Sequence, residues 1–136
     1  MGEATQEAVA RRFVDAFNRR DADALTELVD PAVEWYPSSI VRTRRVYRGH
    51  DGLREWINEL ETAPVAHRAR VREVRTLDER RLAVISEVFV GEQLLSPSAL
   101  LAVFSDEGKI VEAHGYLSDE ALLTQLGLLY APIASP

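Results

Sequence analysis

The amino-acid sequence predicts an α+β domain, with helices segregated from an antiparallel sheet. Three observations predict it. Helical periodicity is gathered ahead of Pro64, while His67 to Leu117 reads as successive strands separated by short turns. One more helix pattern follows those strands. Both faces of the central strands are largely apolar, so both need covering, and the helices are available for one of them.

The first helix is expected to begin near Thr5, a possible N-cap. Val9, Phe13, Ala16 and Phe17 form its apolar stripe, and Arg19 and Arg20 suit its C-terminal end, where the helix dipole favours cations. Asp21 can cap a short second helix, Ala22 to Val29, which Asp30-Pro31 stops. Ala32 to Tyr36 then reads as a strand broken by Pro37. Alternation puts Glu34 and Tyr36 on one side, Val33 and Trp35 on the other. A basic loop follows, with Arg42, Arg44, Arg45 and Arg48; it reads as a solvated loop or as a gate for an anion. Gly49-His-Asp-Gly52 turns into a third helix, whose Leu53, Trp56, Ile57 and Leu60 fall at i, i+3, i+4 and i+7.

His67 to Leu77 alternates Arg68, Arg70 and Arg72 against Ala69 and Val71. The phase slips near Glu73-Val74, which predicts a bulged edge strand. Two hairpins come next. Pairing Phe104 with Lys109 across Ser105-Asp-Glu-Gly108 aligns Ala102 with Val111, Leu100 with Ala113 and Ser98 with Gly115. Closing the preceding hairpin through Glu92 to Leu95 adds Ala83, Ile85, Glu87 and Phe89 to that face. The opposite face then carries Leu82, Val84, Val88, Leu101, Val103, Ile110, His114 and Tyr116. Ser118-Asp-Glu is expected to open a final helix with Leu122, Leu123 and Leu126, ended by Gly127.

The bulk numbers bound the function. One domain spanning 1–136 is expected, with 46% hydrophobic and 28% charged residues. A formal net charge of −6 opposes general affinity for nucleic acid or an anionic membrane. No cysteine is present, which removes disulfides and thiolate chemistry. Met1 to Gln6 lacks the basic and apolar regions of a signal peptide, and no apolar run approaches the roughly 20 residues of a membrane span. A cytoplasmic protein is expected. The second apolar sheet face is expected to be buried against a second copy, giving a homodimer through the outer face.

Three residues are candidates for chemistry. Glu87 is a carboxylate on an otherwise apolar face, where burial would raise its pKa and suit it to general acid or base work. Tyr36 could donate a hydrogen bond to a ligand oxygen. His114 could shuttle a proton near neutral pH, although its register places it on the far face with Tyr116. His50, His67 and His114 are scattered without metal-ligand spacing, so neither a metal nor a cofactor is expected.

The stretches Ala10-Arg-Arg-Phe-Val-Asp-Ala-Phe-Asn-Arg-Arg-Asp21, Leu28-Val-Asp-Pro-Ala-Val-Glu-Trp35, Tyr47-Arg-Gly-His-Asp-Gly-Leu-Arg-Glu-Trp56 and Phe104-Ser-Asp-Glu-Gly-Lys-Ile-Val111 resemble the NTF2-like superfamily, and within it the SnoaL-like proteins. The resemblance covers nearly the whole chain. It implies a cone in which a curved antiparallel sheet wraps around the N-terminal helices and encloses a pocket. It implies a wall of Phe13, Phe17, Trp56, Phe89 and Leu117, with Ser98 placing a hydroxyl among them. The positions that carry the tyrosine, base and acid of the family's ketosteroid isomerases look like Phe13, Tyr36 and Leu100 here. None of the three retains the required group, which opposes isomerisation by that route.

Two readings of function follow. One is a small cofactor-independent enzyme of isomerase, cyclase or hydrolase type that binds a hydrophobic metabolite, with Glu87 moving a proton and Tyr36 polarising an oxygen. The other is a ligand-binding or dimerisation module without turnover.

Overall fold

Among the residues the structure describes, helical stripe, cap and strand patterns assemble into three helices and six strands. The computed structural model describes residues 3–37, 46–63 and 66–116. Helix α1 spans Glu3–Arg19, α2 Ala22–Leu28 and α3 Gly49–Thr62. The strands are β1 Val29–Tyr36, β2 Tyr47–Arg48, β3 His67–Thr76, β4 Arg81–Val90, β5 Gln93–Phe104 and β6 Ile110–Tyr116. They form one sheet in the order β2-β1-β6-β5-β4-β3. The expected final helix lies outside the described residues.

Local chemistry explains most boundaries. Asp21 caps α2 as expected, its carboxylate accepting from the Ala24 N–H at 3.0 Å. Arg20 ends α1 by turning left-handed at φ 55°. The strand after α2 starts at Val29 rather than Ala32, so Asp30 and Pro31 lie within β1 instead of stopping a helix. Helix α3 absorbs the predicted Gly49–Gly52 turn, and Leu53, Trp56 and Ile57 are buried on its inner face. A β-carbon at Gly52 would meet the Tyr47 carbonyl carbon at 2.9 Å, so only glycine lets α3 approach β2 this closely. Edge strand β3 carries the expected bulge, between Val71 and Glu73.

Two features of the sheet depart from the sequence reading. β1 pairs with β6 in parallel, Trp35 opposite Ala113 and Tyr36 opposite His114, so the sheet is not wholly antiparallel. Hairpin registers also differ. β4 and β5 close through Gly91-Glu92, with Gly91 at φ 62°, and a bulge follows between Val88 and Phe89. The tighter turn and the bulge together move the pairing by an odd number of residues and exchange the faces of β4. Leu82, Val84 and Ser86 therefore stand opposite Ala102, Leu100 and Ser98, and Ala83, Ile85 and Glu87 turn the other way. β5 and β6 are shifted by two, with Leu100 opposite Gly115 and Ala102 opposite Ala113. An even shift keeps each face, so Leu100 and Ala113 share a side as expected. A bulge between Val103 and Phe104 carries Ile110 to that side as well.

The main core lies between α1, α3 and the inner face. It joins Phe13, Leu25, Trp35, Leu53, Trp56, Leu82, Val84, Leu100, Phe104 and Ile110 among others. Ala83, Ile85, Ala99 and Leu101 form a second buried group on the outer face, with Leu77 and Tyr116 packed against it. Among the described residues no helix is long and apolar enough to cross a membrane.

Candidate functional site

The inner face is built from aromatic rings supplied by three elements. Phe13 and Phe17 lie four apart on α1, Trp35 is an inward residue of β1, and Trp56 lies on the buried side of α3. Phe13 meets Trp35 edge-on at 5.7 Å between ring centroids, Trp35 meets Trp56 edge-on at 4.9 Å, and Trp56 stacks on Phe17 at 5.5 Å and 15°. These rings form one continuous run from buried Phe13 to half-buried Phe17. At its outer end the Arg20 guanidinium lies 4.7 Å from the Phe17 ring centre and donates to the Phe17 and His67 carbonyls, each at 2.8 Å. Burial, then the like charge of Arg68, lowers the pKa of Arg20.

Polar atoms on this face are few. Trp35 is 6% exposed, and its buried indole Nε1–H has no hydrogen-bond partner among the described residues. Edge-on neighbours offer such a donor at most a weak N–H···π contact. Leaving it unmade costs about 1–3 kcal/mol, whereas burying about 200 Å² of indole at about 25 cal/mol per Å² returns about 5 kcal/mol. Packing therefore holds the indole in place despite the idle donor. Farther along the face Ser86 and Ser98 pair through their hydroxyl oxygens at 2.8 Å.

The three residues expected to do chemistry are not on this face. Tyr36 and His114 do come together. They pair across β1 and β6, and their rings stack at 4.5 Å and 2°. Alternation puts them on the outer face, with Glu34 and Glu112 two residues before them. The Tyr36 hydroxyl donates to Glu34 at 2.8 Å, His114 Nε2 lies 2.5 Å from Glu112, and Arg48 approaches Glu34 at 3.3 Å. The hydrogen bond from Tyr36 first, and then that from Arg48, lowers the Glu34 pKa; the same Tyr36–Glu34 bond raises that of Tyr36. Glu87 faces outward too, opposite Pro97 and Arg70. It stands four residues along β4 from Ala83, whose row runs through Leu101 to His114 and Tyr36. That is about 13 Å along the strands and about 10 Å across two strands from His114, far beyond hydrogen-bond reach.

The expected wall residues divide. Phe13, Trp56 and Leu100 belong to the core, with Phe17 packed against it, and Ser98 shares their face. Phe89 does not: the exchanged faces of β4 turn it outward, where the Arg70 guanidinium covers its ring at 4.6 Å. Leu117 lies outside the described residues, as do Arg42, Arg44 and Arg45 of the basic loop. Arg48 lines an open groove with Tyr47, Asp51, Arg54 and Glu55, a mixed set in which Arg48 pairs with Glu34 and Arg54 with Asp23. Among the described residues no three His, Asp or Glu side chains converge as a metal site requires. Sequence reasoning missed Trp35 and Ser86 as inner-face candidates. The alternation of β1 already signalled Trp35, but Ser86 depended on the hairpin register.

The model of the SnoaL-like domain matches residues 10–113. The chain belongs to the SnoaL-like family. Solved structures agree on the fold. Bal32a, from a soil-derived mobile gene cassette, shares 20% identity over 90% of this chain and 96% of its own, with a TM-score of 0.70. A hypothetical protein with a ketosteroid isomerase-like fold from Catenulispora acidiphila, in complex with trimethylamine, shares 14% identity over 94% and 97%, at 0.66. A proposed polyketide cyclase from Sinorhizobium meliloti shares 18% identity over 79% and 93%, at 0.64. No curated protein matches the chain. At these identities the SnoaL-like chain shares a fold with its neighbours, and its function rests on its own residues.

Proposed function

We propose that this SnoaL-like protein binds a small hydrophobic molecule between α1, α3 and the inner sheet face. The observation that carries the reading is the run of four rings, Phe13, Trp35, Trp56 and Phe17, leading from the core to a half-buried residue. Stacked and edge-on rings on rigid elements are the lining that small apolar ligands favour. Family neighbours named for polyketide cyclase or ketosteroid isomerase-like folds agree with a small-metabolite ligand. Binding without proton transfer by Glu87, Tyr36 or His114 is the better-supported half of the expectation, since all three stand on the opposite face from the rings. A homodimer through the outer face has weaker support than the sequence implied, because Ala83, Ile85, Ala99 and Leu101 are already buried within one chain.

The test is a fluorescence titration with the neutral probe 6-propionyl-2-dimethylaminonaphthalene, following quenching of the two tryptophans. Saturable binding is expected, and Phe17→Ala should weaken it roughly tenfold through loss of one stacked ring. Absence of saturable binding, or equal affinity in the Phe17→Ala variant, would contradict the proposal.

A further inference from the structure

The geometry points to the Trp35 indole N–H as the group that recognises an oxygen acceptor on a neutral, planar ligand. This rests on the binding reading above and narrows it to a chemical class: ring compounds carrying a ketone or ether oxygen. Trp35 is more than nine-tenths buried, its donor is unspent among the described residues, and its ring lies edge-on to both Phe13 and Trp56. No described protein group accepts a hydrogen bond from this donor, so an incoming acceptor displaces no protein hydrogen bond there. A ligand oxygen that reaches it exchanges a hydrogen bond to water for one to the indole and satisfies a buried donor.

The surroundings set the rest of the class. Besides the buried tyrosine and tryptophan rings, the buried polar side chains among the described residues are Gln6 and Ser86, and neither carries a charge. Gln6 donates to the Glu79 carbonyl at 2.9 Å, and Ser86 pairs with Ser98. Arg20, at the outer end of the rings, already donates to the Phe17 and His67 carbonyls, and an ionised ligand at Trp35 would lose its hydration, so a neutral molecule is favoured. The stack of Phe17 on Trp56, 15° from parallel, favours a flat ring system over a globular aliphatic one.

The test compares two probes of similar ring size, 6-propionyl-2-dimethylaminonaphthalene and the hydrocarbon 2-ethylnaphthalene, in wild-type and Trp35→Phe proteins. Trp35→Phe should weaken the ketone about tenfold while changing hydrocarbon affinity less than about twofold. The carbonyl stretch of the bound ketone should lie lower in wild type than in the variant. A second measurement needs no substitution at Trp35. In 15N-labelled wild type, the Trp35 indole N–H resonance, assigned with Trp56→Phe, should move downfield with the ketone and not with the hydrocarbon. If neither probe binds wild type, the binding reading itself fails. If both bind, but Trp35→Phe weakens them equally and the indole resonance ignores the carbonyl, the assignment of Trp35 is overturned and the ring-lined site stands.

Discussion

At Glu34 two donors converge on one carboxylate, the Tyr36 hydroxyl at 2.8 Å and the Arg48 guanidinium at 3.3 Å. Both stabilise the ionised form, so the folded pKa falls below the ordinary carboxylate value. Glu34 contributes stability above its unfolded pKa, and this is lost as pH falls through the lower folded value. The group is solvent-exposed, so the effect concerns ionisation more than fold stability. Tyr36→Phe removes the larger cause, and an NMR titration of Glu34 should show its pKa rising toward the ordinary value. An unchanged titration would show that Tyr36 is not what holds the carboxylate ionised. The same substitution leaves the ring of residue 36 to stack on His114, separating the hydrogen bond from the stack.

Among the elements, α2 and α3 each depend on one residue. Asp21→Ala should cost about 1 kcal/mol in urea unfolding through loss of the cap on α2. Gly52→Ala sets two effects against each other. Helix propensity alone would favour alanine by about 1 kcal/mol, but the new β-carbon would press on the Tyr47 backbone at 2.9 Å. Contact with rigid backbone should win, and the variant should unfold at lower urea than wild type; a gain in stability would mean that α3 can withdraw from β2. Helix stripes, the Asp21 cap and the bulged edge strand were legible in the sequence because their signals are local. Strand partners were legible only in part. The β5–β6 error was even and harmless to the faces, whereas the β4–β5 error was odd and turned Glu87 and Phe89 from inner-face candidates into outer-face residues. The parallel junction of β1 with β6 joins segments some 80 residues apart, and no local pattern encodes it.

Over the whole molecule the sheet separates two chemistries. Rings and idle or mutually paired neutral polar groups occupy the helix-covered side, while Glu34, Tyr36, Glu112, His114 and Glu87 stand on the other. The family resemblance gave the fold and put Phe13, Phe17 and Trp56 on the helix-covered side. It did not supply the inward residue of β1, which is Trp35 rather than Tyr36. Glu87→Gln should accordingly leave the affinity for 6-propionyl-2-dimethylaminonaphthalene unchanged within about twofold, since an outward carboxylate meets no ligand on the inner face. A large loss on that substitution would return Glu87 to the site. Which face takes the ligand is read most directly by chemical-shift mapping of the labelled protein with that probe. The largest shifts are predicted at Phe13, Phe17, Trp35, Trp56 and Leu100. Shifts centred instead on Tyr36, Leu101, His114 and Tyr116 would contradict the account and place binding on the outer face.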